Sequence, residues 1–299
     1  IMGGIDWLQQ GQSHDAVLVT NKKNNYQLDF GAALNNNNEA LYESAYVTNY
    51  KNMQFIWFNQ KFSKLSLSFL ALNNGYQYEN LTENKFQVAY LQTIGTYGKW
   101  DASKFYGDFG LYAQTGEAAV TNDKVDVGAY YAGFNLGYKF TAPFKAELGF
   151  EYLSGKDQND TDTKVKSFTP LFGTNHGFNG LMDYFYVGNH KNSVGLQDIY
   201  TKFIFDKNKW QVTLSPHLFY SAASVYNMTT LEEQDNYLGT EIDLTATYKL
   251  DKNFVISGGV SKMFASDTME VLKGGNNNNC NNWAWVMVSF NPQLFTYKK

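Results

Sequence analysis

The stretch WQVTLSPHL, Trp210 to Leu218, decides the fold. Trp210, Val212, Leu214, Pro216 and Leu218 fall on one parity, and Gln211, Thr213, Ser215 and His217 fall on the other. A helix would scatter these two sets around its axis. A strand puts every second side chain on one face, so the pattern reads as a strand with one apolar and one polar side. EIDLTATYKL (241–250) repeats it, with Ile242, Leu244, Ala246, Tyr248 and Leu250 against Glu241, Asp243, Thr245, Thr247 and Lys249. FKAELGFEY (144–152), YQLDFGAAL (26–34) and KLSLSFLAL (64–72) alternate in the same way.

Working outward from these segments, thirteen strands are predicted, near 13–21, 26–34, 51–61, 64–73, 86–98, 104–115, 125–140, 144–153, 195–206, 209–220, 237–250, 253–264 and 283–290. The connections sort by parity. KKNN, FSK, WDAS, TAP, DKNK and DK are short, and they alternate with long ones over 35–50, 74–85, 116–124, 154–194, 221–236 and 265–282. A soluble sandwich or propeller has no reason to sort loop length in this way. An antiparallel up-and-down transmembrane β-barrel does, with short periplasmic turns and long external loops. The expected fold is therefore an all-β barrel forming a single domain over 1–299, in a bacterial outer membrane, with lipid on its apolar face. Aromatic residues make up 17% of the chain. Tyr138, Tyr152, Trp210 and Tyr248 fall near strand ends on the apolar parity, where interfacial girdles lie.

Composition narrows the function. No apolar run reaches the roughly 18 residues of a membrane helix. The net charge of −4 argues against nucleic acid as a partner. All 24 basic residues are lysine, so the bidentate guanidinium clamp for carboxylate or phosphate is missing. Cys280 stands alone, which excludes a disulfide framework and a thiolate metal site. The chain opens at Ile1-Met2-Gly3-Gly4 without a signal peptide and reads as a processed chain or a fragment. Single-chain bacterial barrels have even strand counts, so an odd count predicts further strands ahead of residue 1.

Two stretches resemble the alginate-export family of outer-membrane porins. In the first, GGIDWLQQGQSHDAVLV (3–19), Trp7, Gln9, Gly11, Ser13 and Asp15 match that family's pattern, while Gln12 replaces its usual Arg and His14 its aromatic residue. In the second, within SFTPLFGTNHGFNGLMDYFY (167–186), Phe168, Pro170, Leu171, Phe172, Thr174, His176, Phe178, Gly180 and Asp183 fit. The resemblance implies a barrel of about eighteen strands, lacking about five here, whose polar channel passes polysaccharide or other small solutes. A polyuronate carrier would be expected to line its pore with Arg, and this chain has none.

Strand parity names the pore lining: Asp29, Asp108, Glu147, Glu151, Asp198, Glu241 and Asp243, with Lys139, Lys145, Lys202, Lys249 and His217. Rings of side-chain charge set ion preference, and acids outnumber bases here, so the channel is expected to be neutral to weakly cation-preferring. The same groups could instead pair across strands and stabilise the wall. The 154–194 connection is expected to be ordered and to fold over or into the pore, because it is too aromatic for disorder. Its constriction residues are Phe168, Pro170, Phe172, His176, Phe178, Gly180, Asp183 and Tyr184.

No catalytic residue, cofactor or metal is expected. Ser215 and His217 lie two apart on one strand face, about 6–7 Å, too far for a nucleophile–base hydrogen bond. His176 and His190 share a loop with Asp183, but their spacing resembles no metal motif. DQNDTD (157–162) lacks the glycine turn and closing Glu of a calcium loop. The expected function is passive passage of small hydrophilic solutes or saccharide. The alternative is a barrel subunit or scaffold, with outer-membrane protein partners and an incidental pore.

Overall fold

A computed structural model of the chain describes residues 13–36, 46, 49–173, 179–186, 190–293 and 295. Thirteen strands follow in order: β1 (Ala16–Lys23), β2 (Tyr26–Leu34), β3 (Asn52–Phe62), β4 (Leu65–Asn80), β5 (Lys85–Ala102), β6 (Phe105–Val120), β7 (Asp123–Thr141), β8 (Phe144–Leu153), β9 (Leu196–Lys207), β10 (Trp210–Tyr220), β11 (Tyr237–Lys249), β12 (Phe254–Ala265) and β13 (Asn281–Phe290). One short helix, α1 (Asp267–Lys273), lies between β12 and β13. All thirteen strands form one sheet in chain order, each antiparallel to its neighbours in sequence. The fold is all-β and up-and-down, as the alternation predicts. Among the described residues β1 pairs only with β2 and β13 only with β12.

Two of the connections expected to be long are not. β4 runs on to Asn80 and β6 to Val120, so the links to β5 and β7 shrink to tight turns. The reason is that alternation continues in polar form. Tyr76 and Tyr78 hold the inward parity, opposite Ala89 and Gln87 of β5, beyond the point where the apolar pattern fades. These long hairpins project on the same side as the four remaining long loops. In β10, pairing with β11 runs unbroken through Pro216, whereas pairing with β9 skips Ser215 and Pro216. A proline has no N–H to give to a ladder, and the gap falls on that residue.

The two faces differ sharply. Leu111, Leu148 and Val260 point outward and are 51%, 56% and 53% exposed, with Ile94, Phe134, Leu214 and Val288 around them. Aromatic rings gather at both ends of this face. Trp210 meets Tyr248 at 4.7 Å, and Phe105, Tyr138 and Phe140 form a chain near the short turns. Tyr130 stacks on Tyr152 at 5.5 Å near the long loops. From Tyr130 to Phe140 is about 33 Å along the strand, or roughly 25 Å in height for a strand tilted about 40°.

The opposite face is buried against the 154–194 connection, and that connection shows how far the sheet curls. Phe172 packs with Ala33, Tyr50, Met53, Leu70 and Leu72, on or beside β2 to β4. A few residues later the backbone of Leu181 and Met182 bonds to side chains of β11. One short segment can touch β3 and β11 together only if the sheet wraps around it. The core is thus the plugged interior of a curved wall.

Candidate functional site: the plugged lumen

The plug begins where β7 outruns β8. Residues 126–128 of β7 have no β8 partner, and Val165 fills that edge through Gly128 N–H to Val165 O (2.9 Å) and Val165 N–H to Asp126 O (2.8 Å). The chain then turns inward. The Gln114 amide imitates a strand partner, donating to Thr169 O (2.8 Å) and accepting from Thr169 N–H (3.0 Å). Phe168, Phe172 and Phe185 are buried, and Phe185 meets Phe219 of β10 at 4.6 Å.

Carboxylates of the wall fix the second half of the plug. Asn179 donates to Glu151 Oε2 (3.0 Å) and Asp198 Oδ2 (3.3 Å). Leu181 N–H reaches Asp243 Oδ2 (3.3 Å), and Met182 N–H reaches Glu241 Oε1 (2.9 Å). Gly180, at φ +83°, lies against the Glu241 carboxylate, where any side chain would collide. A buried carboxylate is costly unless donors surround it, and here the loop backbone supplies them. Glu241 Oε2 has no hydrogen-bond partner among the described residues.

His217 joins this cluster. Its Nδ1 stands 3.0 Å from both Asp198 oxygens and therefore carries the proton, while Nε2 is 3.9 Å from Asp243 Oδ2. Ser261 donates to Asp243 Oδ1 at 2.5 Å. The ring nitrogens of His217 thus face carboxylates rather than Ser215. Parity alone could not show that Glu151, Asp198, His217, Glu241 and Asp243 form one group, because that depends on register across β8 to β11.

The other predicted lining residues lie elsewhere on the inward face. Tyr106 and Asn135 donate to Glu147, at 2.9 and 3.4 Å. Lys202 sits opposite Glu147, with its ammonium 5.1 Å from the Tyr200 ring centre. Lys139 pairs with Asp101 at 2.7 Å near the short turns, and Lys145 and Lys249 also fall at that end. Asp29 is on β2, far along the sheet, and accepts from Gln27 (2.8 Å). Of the constriction residues, Phe168, Pro170, Phe172, Gly180, Asp183 and Tyr184 belong to the plug, and His176 and Phe178 lie outside the described residues.

Several plug contacts had no clear signal in sequence. His14 bonds to the Tyr50 hydroxyl (2.7 Å) and meets Phe172 edge-on, so the stretches that hold them, 3–19 and 167–186, touch there. His190 is held by Gly195 O and Ser193 Oγ and packs on Phe185. Burial and the nearby Lys273 ammonium lower its pKa to about 4. Burial also brings Lys273 of α1, over the same Phe185 ring, down to about 8. In the Asp-rich loop, Lys166 occupies the space between Asp160 and Asp162, and Asp157 accepts from Ser224 N–H. Among the described residues no cluster of His, Cys, Asp and Glu has metal-binding geometry.

Between β5 and β8, and reaching Tyr200 and Lys202 of β9 and His217 of β10, the wall borders a cavity of about 420 Å³ against the plug. It is lined by Tyr97, Asp108, Tyr112, Tyr131, Glu151 and Tyr200 on the wall side and by Phe168, Pro170 and Asn179 on the plug side. Tyrosine rings lie flat along this wall because glycines sit beneath them. Tyr131 covers Gly133, Tyr200 covers Gly149 and Tyr106 covers Gly137.

No protein-family model and no curated protein matches the chain. Among solved structures, a chain described as copper transporter OprC is similar to it at 10% identity and a TM-score of 0.39, covering 82% of this chain. The chain spans 39% of that structure's length, and a likeness at this level transfers no residue role.

Proposed function

We propose that this sheet is the wall, and the 154–194 connection the plug, of an outer-membrane channel that passes small hydrophilic solutes or saccharide. The observation that carries the reading is the division of the faces. The outward side is apolar and exposed between aromatic ends about 25 Å apart, which suits a bilayer, while the inward side carries carboxylates, amides and lysines, which suit water. A soluble protein rarely exposes so large an apolar surface. Spanning a bilayer also requires pairing the β1 and β13 edges, since unpaired backbone groups are costly in lipid.

The porin-like stretches support an alginate-export type of channel in architecture. The lumen chemistry supports a neutral to weakly cation-preferring one. Planar-bilayer recording tests this directly. The expected result is steady conductance with a reversal potential near zero or shifted toward cation selectivity in a salt gradient; clear anion selectivity overturns it.

The scaffold reading has one observation behind it, the two edge strands that, among the described residues, pair on one side only. A stoichiometric partner retained in mild detergent, together with no conductance, would favour it.

A further inference from the structure

We propose that the hollow between β5 and β8 is a binding site for a small organic cation, an ammonium carrying an apolar body. This deepens the channel reading and rests on it.

Register builds the hollow. Along one inward row Tyr97 stands opposite Gly110, Gly110 opposite Gly133, and Gly133 opposite Glu151. Two adjacent glycines remove the side chains that would fill the wall at this level. The row on one side carries Tyr112 opposite Tyr131, and the row on the other carries Asp108 opposite Asn135. A methyl group placed on Gly110 would lie 3.3 Å from Tyr131, 3.4 Å from Tyr112 and 3.8 Å from Tyr97, so three rings converge over one glycine. The Tyr131 hydroxyl donates to Glu151 (3.2 Å), which keeps that ring laid along the wall. The space above them, about 420 Å³, suits a compact solute.

The chemistry of the rim selects the charge. Aromatic faces attract cations through the ring quadrupole, most strongly where water is excluded, and carboxylates add to that attraction. Asp108 and Glu151 border the hollow, Asp198 continues the row of Glu151, and Glu147 lies in the row beyond that of Asp108. The wall already seats one ammonium in this way, since Lys202 lies over the Tyr200 ring. Lys202 and Lys191 are the cavity's only lysines among the described residues, and the Lys202 ammonium is already seated over the Tyr200 ring, on the strand position opposite Glu147. An anionic solute would find no guanidinium here. A neutral solute would gain the ring contacts and none of the charge.

Choline, compared with the uncharged alcohol in which carbon replaces its nitrogen, separates these cases on the full chain. In planar bilayers choline should interrupt the current, and in detergent it should bind by calorimetry, with the alcohol weaker by roughly tenfold or more. Asp108→Asn keeps the side-chain shape and should weaken choline roughly five- to thirtyfold, as should Tyr97→Leu, while Tyr97→Phe retains binding. Equal response to choline and the alcohol overturns the proposal, as does choline binding untouched by Asp108→Asn. Current without any choline effect removes this site and leaves the channel standing. Choline binding without any current removes the channel and leaves the site.

Discussion

Between β5 and β8 the inward rows set glycine beside tyrosine, whereas from β8 to β12 they carry four buried carboxylates and a histidine. The first region presents ring faces and open volume; the second grips backbone N–H groups of the plug. Both come from the same strand alternation, so which residues stand opposite one another decides what each wall does. Gly110 opposite Gly133 leaves a hollow. Glu151 opposite Asp198, in reach of Asn179, makes a clamp.

Removing the plug should erase the distinction and give the largest effect. Deletion of 165–188 is expected to raise single-channel conductance severalfold, and unchanged conductance would mean the segment does not obstruct flow.

Acid should loosen the docked plug through His190, which packs on Phe185. His190 titrates near 4 in the docked plug against an ordinary 6.5, so the undocked form binds the proton more readily. Docking is therefore fully favoured above about pH 6.5 and weakens as pH falls toward 4, by about 3 kcal/mol in total. Proteolysis of the plug measured across that window should accelerate in acid, and His190→Asn should flatten the profile.

Asp243→Ala removes the acceptor for Leu181 N–H and Ser261 Oγ, leaving both in a closed environment at a cost of about 1–3 kcal/mol. Hydrogen exchange at Leu181 and its neighbours should rise while β5 to β7 stay protected. On the other side, Gly149→Ala pushes a methyl into the Tyr200 ring and should cost about 1 kcal/mol, the smallest of these effects. It should lower the thermal unfolding midpoint in detergent without exposing the plug to protease.

Alternation made the strands legible in sequence because burial on one face and exposure on the other both act at a period of two. It placed all thirteen, and it put Glu241 and Asp243 on the face opposite Ile242 and Leu244. Strand ends were less legible. Around Tyr76 and Tyr78 the outward residues turn polar, and the apolar signal stops before the pairing does. The clamp was not legible either, because the meeting of Asn179 with Glu151 and Asp198 depends on curvature that no local pattern encodes. The tyrosine–glycine hollow left a trace in the glycines spaced along β5 to β8, but only the register shows that two of them are neighbours.

The path of the plug also bears on how the protein assembles. Phe172 rests on β2 to β4 and Leu181 on β11, so a few residues tie together strands far apart in the chain. Contacts of such long range are reached slowly, because the entropy of closing a large loop comes before any gain from the contact. A ring-to-ring distance from Phe172 to Phe219, followed during refolding, would then serve as a clock for completion of the whole wall.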